Sequence, residues 1–277
     1  MSVPPSMEMP KIPIEGVKYL VTVGSGKGGV GKTTVSVNLA LALQALGHKV
    51  GLLDADVYGP NVPRMMGINE SPRASGESIA PIEQYGVKLM SMGFLSPGDR
   101  PIIWRGPMLH SLMQQFVRNV MWGPLDFLVV DLPPGTGDVS LSLAQSTPIT
   151  GAVVVTTPSD VSLEDARKAV LMFRQLHVPL LGLVENMSYL IAPQSGERID
   201  VFGEGGGKRT ADQMQIPLLG ELPLVPEVRR GGDSGRPAAL AGEDAAIAQP
   251  FYALARAVLA RVEQAAANKG PTIAVED

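Results

Sequence analysis

The chain has 277 residues, enough for one large α/β domain with a sizeable core. Hydrophobic residues make up 45%, charged residues 18% and the net charge is −4, a balance that speaks against a nucleic-acid binder working by phosphate neutralisation. Cysteine is absent, which excludes a disulfide framework, a thiol nucleophile and any thiolate metal site built from this chain alone.

In chain order, residues 1–16 are a Pro-rich lead without a secretory pattern. KYLVTVGS reads as a buried strand that runs into the Gly-rich stretch GSGKGGVGKTT. The apolar-rich TTVSVNLALALQAL predicts a helix from Gly31 to Leu46, ended by Gly47. HKVGLLDAD is a second short strand with acids at its C-terminal end. The Pro-, Gly- and Met-rich region from Tyr58 to Arg105 is expected to form loops, with one strand at VKLMSMGF. Its methionines (Met65, Met66, Met90, Met92, Met108 and Met113) read as core filling, with an adaptable partner surface as the alternative. Pro107 to Met121 predicts a helix with Pro near its start. DFLVVDLPPGTGD is a strand entering a turn, and GAVVVTT and LLGLVEN are strands around a helix from about Asp160 to Leu176. LLGELPL is the last strand, and a final helix runs from Ala239 to about Ala267. One domain is expected over 17–267, with 268–277 as a tail. Strands apolar on both faces, alternating with helices, imply an α/β, doubly wound, mostly parallel sheet with helices on both faces. No apolar run is long enough to span a bilayer, so a cytoplasmic protein is expected, with neither membrane nor nucleic acid as a partner.

Ligands of such sheets bind at the carboxyl ends of the strands, where the Gly-rich loop, DAD, DLPPGTGD, TTPSD and ENMS all fall. Gly26, Gly31, Lys32 and Thr33 fit G-x-x-x-x-G-K-[ST] between a strand and a helix, the context that pattern requires. Backbone N–H groups of Gly26, Lys27, Gly28, Gly29, Val30 and Gly31 can turn toward phosphates, aided by the dipole of the following helix. Lys32 then supplies charge to the β- and γ-phosphates, Thr33 a hydroxyl to Mg²⁺, and Thr34 a contact to the α-phosphate of ATP. Asp131, at the end of DFLVVD, is the expected magnesium carboxylate, and Gly135 offers a backbone N–H to the γ-phosphate. Asp54 and Asp56 are open between two roles, acids that orient or deprotonate the attacking water and solvated loop acids. Lys27 is redundant for the nucleotide that Lys32 holds. Its side chain is expected to point away from that loop, toward the nucleotide of a second subunit, so a homodimer is expected.

GKGGVGKTT resembles the deviant Walker loop of the P-loop family that includes MinD, ParA and the nitrogenase iron protein, of the SIMIBI type. DADVYGPN, RGPM, WGPLDFLVVDLPPGTGD and ENMSY are similar to the Mrp/ApbC-type iron–sulfur cluster carriers over about Val17 to Ala265. The resemblance implies Lys27 as the signature lysine, Asp56 as the water-positioning acid, Asp54 as its switch neighbour and Asp131 as the second-switch acid. It also implies Asn186 as a contact to adenine and Pro223 and Leu224 as lining of the base pocket. It implies slow ATP hydrolysis, a homodimer closed over nucleotide, and delivery of an iron–sulfur cluster to apoprotein clients. Such carriers place a Cys-x-x-Cys shortly after ENMS. Here those two positions hold Ala192 and Ser195, and His48, His110 and His177 are scattered, so the chain lacks its own cluster ligands. The alternative is a MinD/ParA-like positioning or recruitment switch without cluster chemistry. The basic pair Arg229 and Arg230 is expected to flank the nucleotide.

Overall fold

The computed structural model describes residues 11–95 and 106–267. The start of the Pro-rich lead, Arg105 of the RGPM stretch and the 268–277 tail lie outside the described residues. In chain order the elements are β1 Val17–Ser25, α1 Lys32–Ala45, β2 Val50–Asp54, α2 Val62–Met65, β3 Arg73–Ser75, β4 Ser78–Ala80, β5 Ile82–Gln84 and β6 Val87–Ser91. They continue with α3 Gly106–Arg118, β7 Leu125–Asp131, α4 Asp138–Ser146, β8 Gly151–Thr156, α5 Asp160–Gln175, β9 Leu180–Glu185, β10 Leu190–Ile191 and β11 Arg198–Ile199. The last are α6 Gly206–Gln213, β12 Leu218–Glu221, α7 Pro226–Asp233 and α8 Gln249–Ala267.

The main sheet has the order β12-β9-β8-β1-β7-β2-β6-β5. Every pairing in it is parallel except the edge pair β5–β6. Growth reverses at β1, because β2, β6 and β7 lie on one side of it and β8, β9 and β12 on the other. That reversal opens a crevice beside the end of β1. Successive strand residues face opposite layers. Leu52, Val129 and Val153 pack with apolar residues of α1 and α8. Leu53, Leu128, Val130 and Val154 pack with α3, α4 and α5. Burial on both faces is why these strands read as continuous apolar runs.

The region after Tyr58 is more ordered than its composition predicts. β5 and β6 extend the sheet as a hairpin whose two turn residues, Tyr85 and Gly86, have φ of 53° and 75°. Tyr-Gly is not the Asn-Gly or Asp-Gly pair that announces such a turn in sequence. A tertiary contact holds it, with the Tyr85 hydroxyl donating to the Gly235 carbonyl at 2.8 Å. The final helix also differs, because a short 3-10 turn at Ala238–Ala241 precedes Gly242, whose φ of 86° separates it from α8. Helix α3 stops at Arg118 rather than Met121. Of the methionines, Met66, Met90, Met92 and Met113 are core, whereas Met108 is exposed.

Candidate nucleotide site

The seven parallel strands all end on polar residues: Ser25, Asp54, Ser91, Asp131, Thr156, Glu185 and Glu221. Six of these are buried, so each needs a partner, and together they organise the loops above the sheet. The Ser25 hydroxyl donates to the Lys27 carbonyl at 2.9 Å and shapes the first half of the glycine loop. Gly31 closes it with φ of 82°, and a Cβ there would lie 2.2 Å from the Asn186 amide nitrogen. Only glycine meets both conditions. From there α1 starts with Lys32, and the Gly31 carbonyl accepts the Val35 N–H at 3.0 Å.

Lys32 is buried, with its ammonium 2.8 Å from Asp131 Oδ2 and 3.6 Å from Asp56 Oδ2. Asp131 also accepts the Thr33 hydroxyl at 2.8 Å on Oδ2 and the Ser36 hydroxyl at 2.6 Å on Oδ1. Ser36 was missed in sequence, although it lies four residues after Lys32 and therefore on the same helix face. Asp56 borders the cavity and caps its own loop, its Oδ1 accepting the N–H groups of Tyr58 and Gly59 at 3.2 Å each.

Asp54 is fully buried beside Asp131, its register partner on β7. It accepts the Ser91 hydroxyl at 2.8 Å and the N–H groups of Asp56 and Val62 at 3.2 Å each. Burial, and then the neighbouring Asp131 charge, push its carboxyl up to about 8. Neither Asp54 nor Asp56 is a solvated loop acid, and of the two only Asp56 faces the cavity.

That cavity measures about 660 Å³, within the range of small-ligand sites. It is lined by Lys27 through Thr34, by Asn186, Pro223 and Leu224, and by Asp56. The tertiary fold thus brings residues more than 150 positions apart to one wall. Asn186 donates its amide to the Val30 carbonyl at 2.9 Å, which ties the base end to the phosphate loop. Lys27 borders the same cavity, half-buried, with no side-chain partner among the described residues. Two expectations need correction. The Gly135 N–H is already donated to the Ser25 carbonyl at 2.8 Å, and neither Gly135 nor Gly26 faces the cavity. Of the basic pair, Arg229 lines the cavity and bonds Asp233 at 2.7 Å, while Arg230 turns to Glu227 outside it. Tyr58, Asn61, Arg64 and Met65 also line the cavity. No sequence pattern marks them, since α2 reaches the site by packing on α7 and α1, with Met65 against Gly232.

Oxygen donors gathered around Asp131 and Thr33 are the kind that hold a hard divalent cation together with phosphate oxygens, so the residues present fit Mg²⁺. An iron–sulfur cluster is not fitted in this way. Ala192 and Ser195 sit at the tip of the β10–β11 hairpin, where Ala192 donates its N–H to the Glu197 carbonyl at 2.8 Å. Neither side chain there is a thiolate, and no group of three or more His, Cys, Asp or Glu that could by itself hold a metal ion occurs among the described residues.

Residues 16–259 match the family described as ParA: NUBPL iron-transfer P-loop NTPase. The chain belongs to that family. An iron-sulfur cluster carrier protein of Deinococcus radiodurans is 53% identical over 251 residues, which span 90% of this chain and 71% of that protein. A nucleotide-binding protein of Archaeoglobus fulgidus, solved in complex with ADP, is similar with a TM-score of 0.72 at 37% identity, covering 80% of this chain and 88% of that one. The cell-division ATPase MinD of Pyrococcus furiosus shares the fold, with a TM-score of 0.65 at 23% identity over 87% of this chain and 98% of that one. Membership in the NUBPL-type P-loop NTPases bears out the resemblance read from GKGGVGKTT and ENMSY and the doubly wound parallel sheet. Among the described residues of this NTPase no helix is long and apolar enough to cross a membrane.

Proposed function

We propose that the chain is a cytoplasmic ATP-binding and ATP-hydrolysing switch, a homodimer closed over nucleotide, that serves iron–sulfur cluster delivery to apoproteins. In this reading a partner or client supplies the thiolates that the chain lacks. The observation that carries the ATPase part is Lys32, held between Asp131 and Asp56 at the start of α1 and backed by Thr33. Family membership and the names of the relatives support the delivery part.

ATP places its phosphates on the glycine loop and its base against Asn186, Pro223 and Leu224. Lys32 exchanges Asp131 for the β- and γ-phosphates, and Thr33 and Asp131 are the residues that hold Mg²⁺. When bound, Mg²⁺ neutralises charge on the phosphate oxygens. Asp56 orients the attacking water and accepts its proton. Its two backbone hydrogen bonds keep one carboxylate oxygen fixed and leave the other directed at the lysine. Lys27 completes the phosphate site of the partner subunit.

The missing cysteines favour a second reading, a MinD/ParA-like recruitment switch without cluster chemistry. One measurement tests the hydrolysis common to both readings and another separates them. Asp56→Ala is expected to retain ATP and to lose turnover by about 100-fold or more, as removal of a general base does; a variant with normal turnover removes Asp56 from the reaction. Anaerobic reconstitution with iron and sulfide, with and without ATP and an added cysteine-bearing client, decides the output. Cluster appearing only with the client supports delivery, and no cluster under any condition leaves the recruitment switch.

A further inference from the structure

ATP hydrolysis as described makes no use of Glu185, a buried carboxylate at the end of β9, 1% exposed. Its Oε1 accepts the Ser188 hydroxyl at 2.6 Å, and its Oε2 accepts the Gly207 N–H at 2.5 Å. A Cβ on Gly207 would lie 2.6 Å from Oε2, so the start of α6 is pressed onto this carboxylate. Between Glu185 and Ser188 stand Asn186 and Met187, both lining the nucleotide cavity. Met187 has φ of 54°, a left-handed conformation that an L side chain keeps only where its surroundings enforce it.

The same turn carries the chain into β10. The Glu185 carbonyl accepts the Leu222 N–H at 2.8 Å, Ser188 donates to the Leu222 carbonyl at 2.9 Å, and Leu224 donates to the Tyr189 carbonyl at 2.7 Å. Both walls of the base end, 186–187 and 223–224, are therefore backbone-bonded to the stem of the hairpin. Tyr189 extends that stem outward, with the Arg198 guanidinium 4.4 Å from its ring centre.

We propose that Glu185 is a positioning residue that locks the Asn186–Ser188 turn, so that a nucleotide in the cavity sets the position of the β10–β11 hairpin. This rests on the nucleotide reading of the cavity and adds its output element. The carboxylate satisfies two donors from two different segments, one oxygen each. A glutamine can keep the Gly207 N–H on its oxygen and donate its N–H₂ to the Ser188 oxygen, whereas an alanine removes both contacts.

The test uses the absence of cysteine from these 277 residues, because Ser195→Cys gives one labelling site at the hairpin tip. An environment-sensitive dye on that position is read while ADP is added, and ADP affinity is measured in parallel by calorimetry. ADP is chosen so that the signal does not depend on ATP-driven dimerisation. The dye signal is expected to change with ADP, and the change to shrink about fivefold or more in both Glu185→Ala and Ser188→Ala, the scale of a typical coupling. ADP affinity is expected to stay within about threefold of the parent. Ser188→Ala removes a single hydroxyl and carries the test alone if Glu185→Ala does not fold. An undiminished dye response overturns the coupling, as does a silent dye in a parent that calorimetry shows to bind ADP. Absence of any ADP heat in the parent overturns the nucleotide reading and the coupling with it.

Discussion

Lys32 faces a buried carboxylate on one side and the open cavity on the other, an arrangement in which a bound phosphate competes with Asp131 for one ammonium. Lys32→Ala is expected to weaken ATP binding at least about 100-fold by calorimetry, the scale for truncating one partner of a buried charged contact. Unchanged affinity would remove the phosphate assignment. Asp54 carries a pH dependence of unusual sign for an acid. Its folded-state pKa, about 8, lies above the ordinary 3.8, so the native state binds the extra proton between those values. Asp54 therefore stabilises the protein least at high pH, and its contribution falls as pH rises from about 4 to about 8. Denaturant unfolding of the nucleotide-free protein at pH 5 and pH 8 is expected to show a larger loss across that interval in wild type than in Asp54→Asn. Equal losses would mean that the proton on Asp54 is not linked to folding.

The β10–β11 hairpin carries Ala192 and Ser195, the two positions at which the resemblance read from the sequence implies cysteines. Its tip is held by backbone bonds, Ala192 N–H to Glu197 carbonyl and Gly196 N–H to Ala192 carbonyl at 2.9 Å, and the Ser195 hydroxyl adds one contact by accepting the Glu197 N–H at 3.3 Å. Substitution at those two positions removes at most that one long contact and leaves the backbone bonds of the hairpin in place. The double variant Ala192→Cys with Ser195→Cys is expected to gain iron and acid-labile sulfide at parity on anaerobic reconstitution, because it supplies the missing thiolates without altering the stem. If the variant folds and takes up no iron, the hairpin tip is not where a cluster would be held. The small elements around it, β10, β11, α6 and α7, were not legible in sequence. Each is short, the two strands have two residues apiece, and α6 is held by a long-range partner, Glu185. The long elements β1, α1, β7, β8, α5 and β9 were legible to within a few residues, since runs buried on both faces and capped by glycine leave few alternatives.

Taken whole, the molecule concentrates its polar strand ends and its glycine loop on one edge of the sheet, and that edge is where a second copy would meet it. Lys27 borders the cavity without an intrachain partner among the described residues, so its charge is available to phosphates from either subunit. Lys27→Ala is expected to weaken ATP-dependent dimerisation at least about 100-fold in light scattering while monomeric ATP binding remains measurable. Normal ATP-driven dimers in that variant would show that Lys27 serves only its own subunit or none.

Sequence alone determined the layered α/β architecture, the glycine loop with Lys32 and Thr33, and the candidate acids, because these depend on local periodicity and on residue types that one short stretch supplies. It also determined the absence of thiolate ligands, which needs no structure at all. Only the tertiary structure decided which of Asp54 and Asp56 faces the cavity and that the Gly135 N–H is already engaged. It likewise decided that α2 joins the cavity wall and that Glu185 ties the base end to the hairpin. Those facts depend on which partner satisfies a buried polar group, and that partner lies from two to more than a hundred residues away, at a distance set by sheet order rather than by sequence spacing.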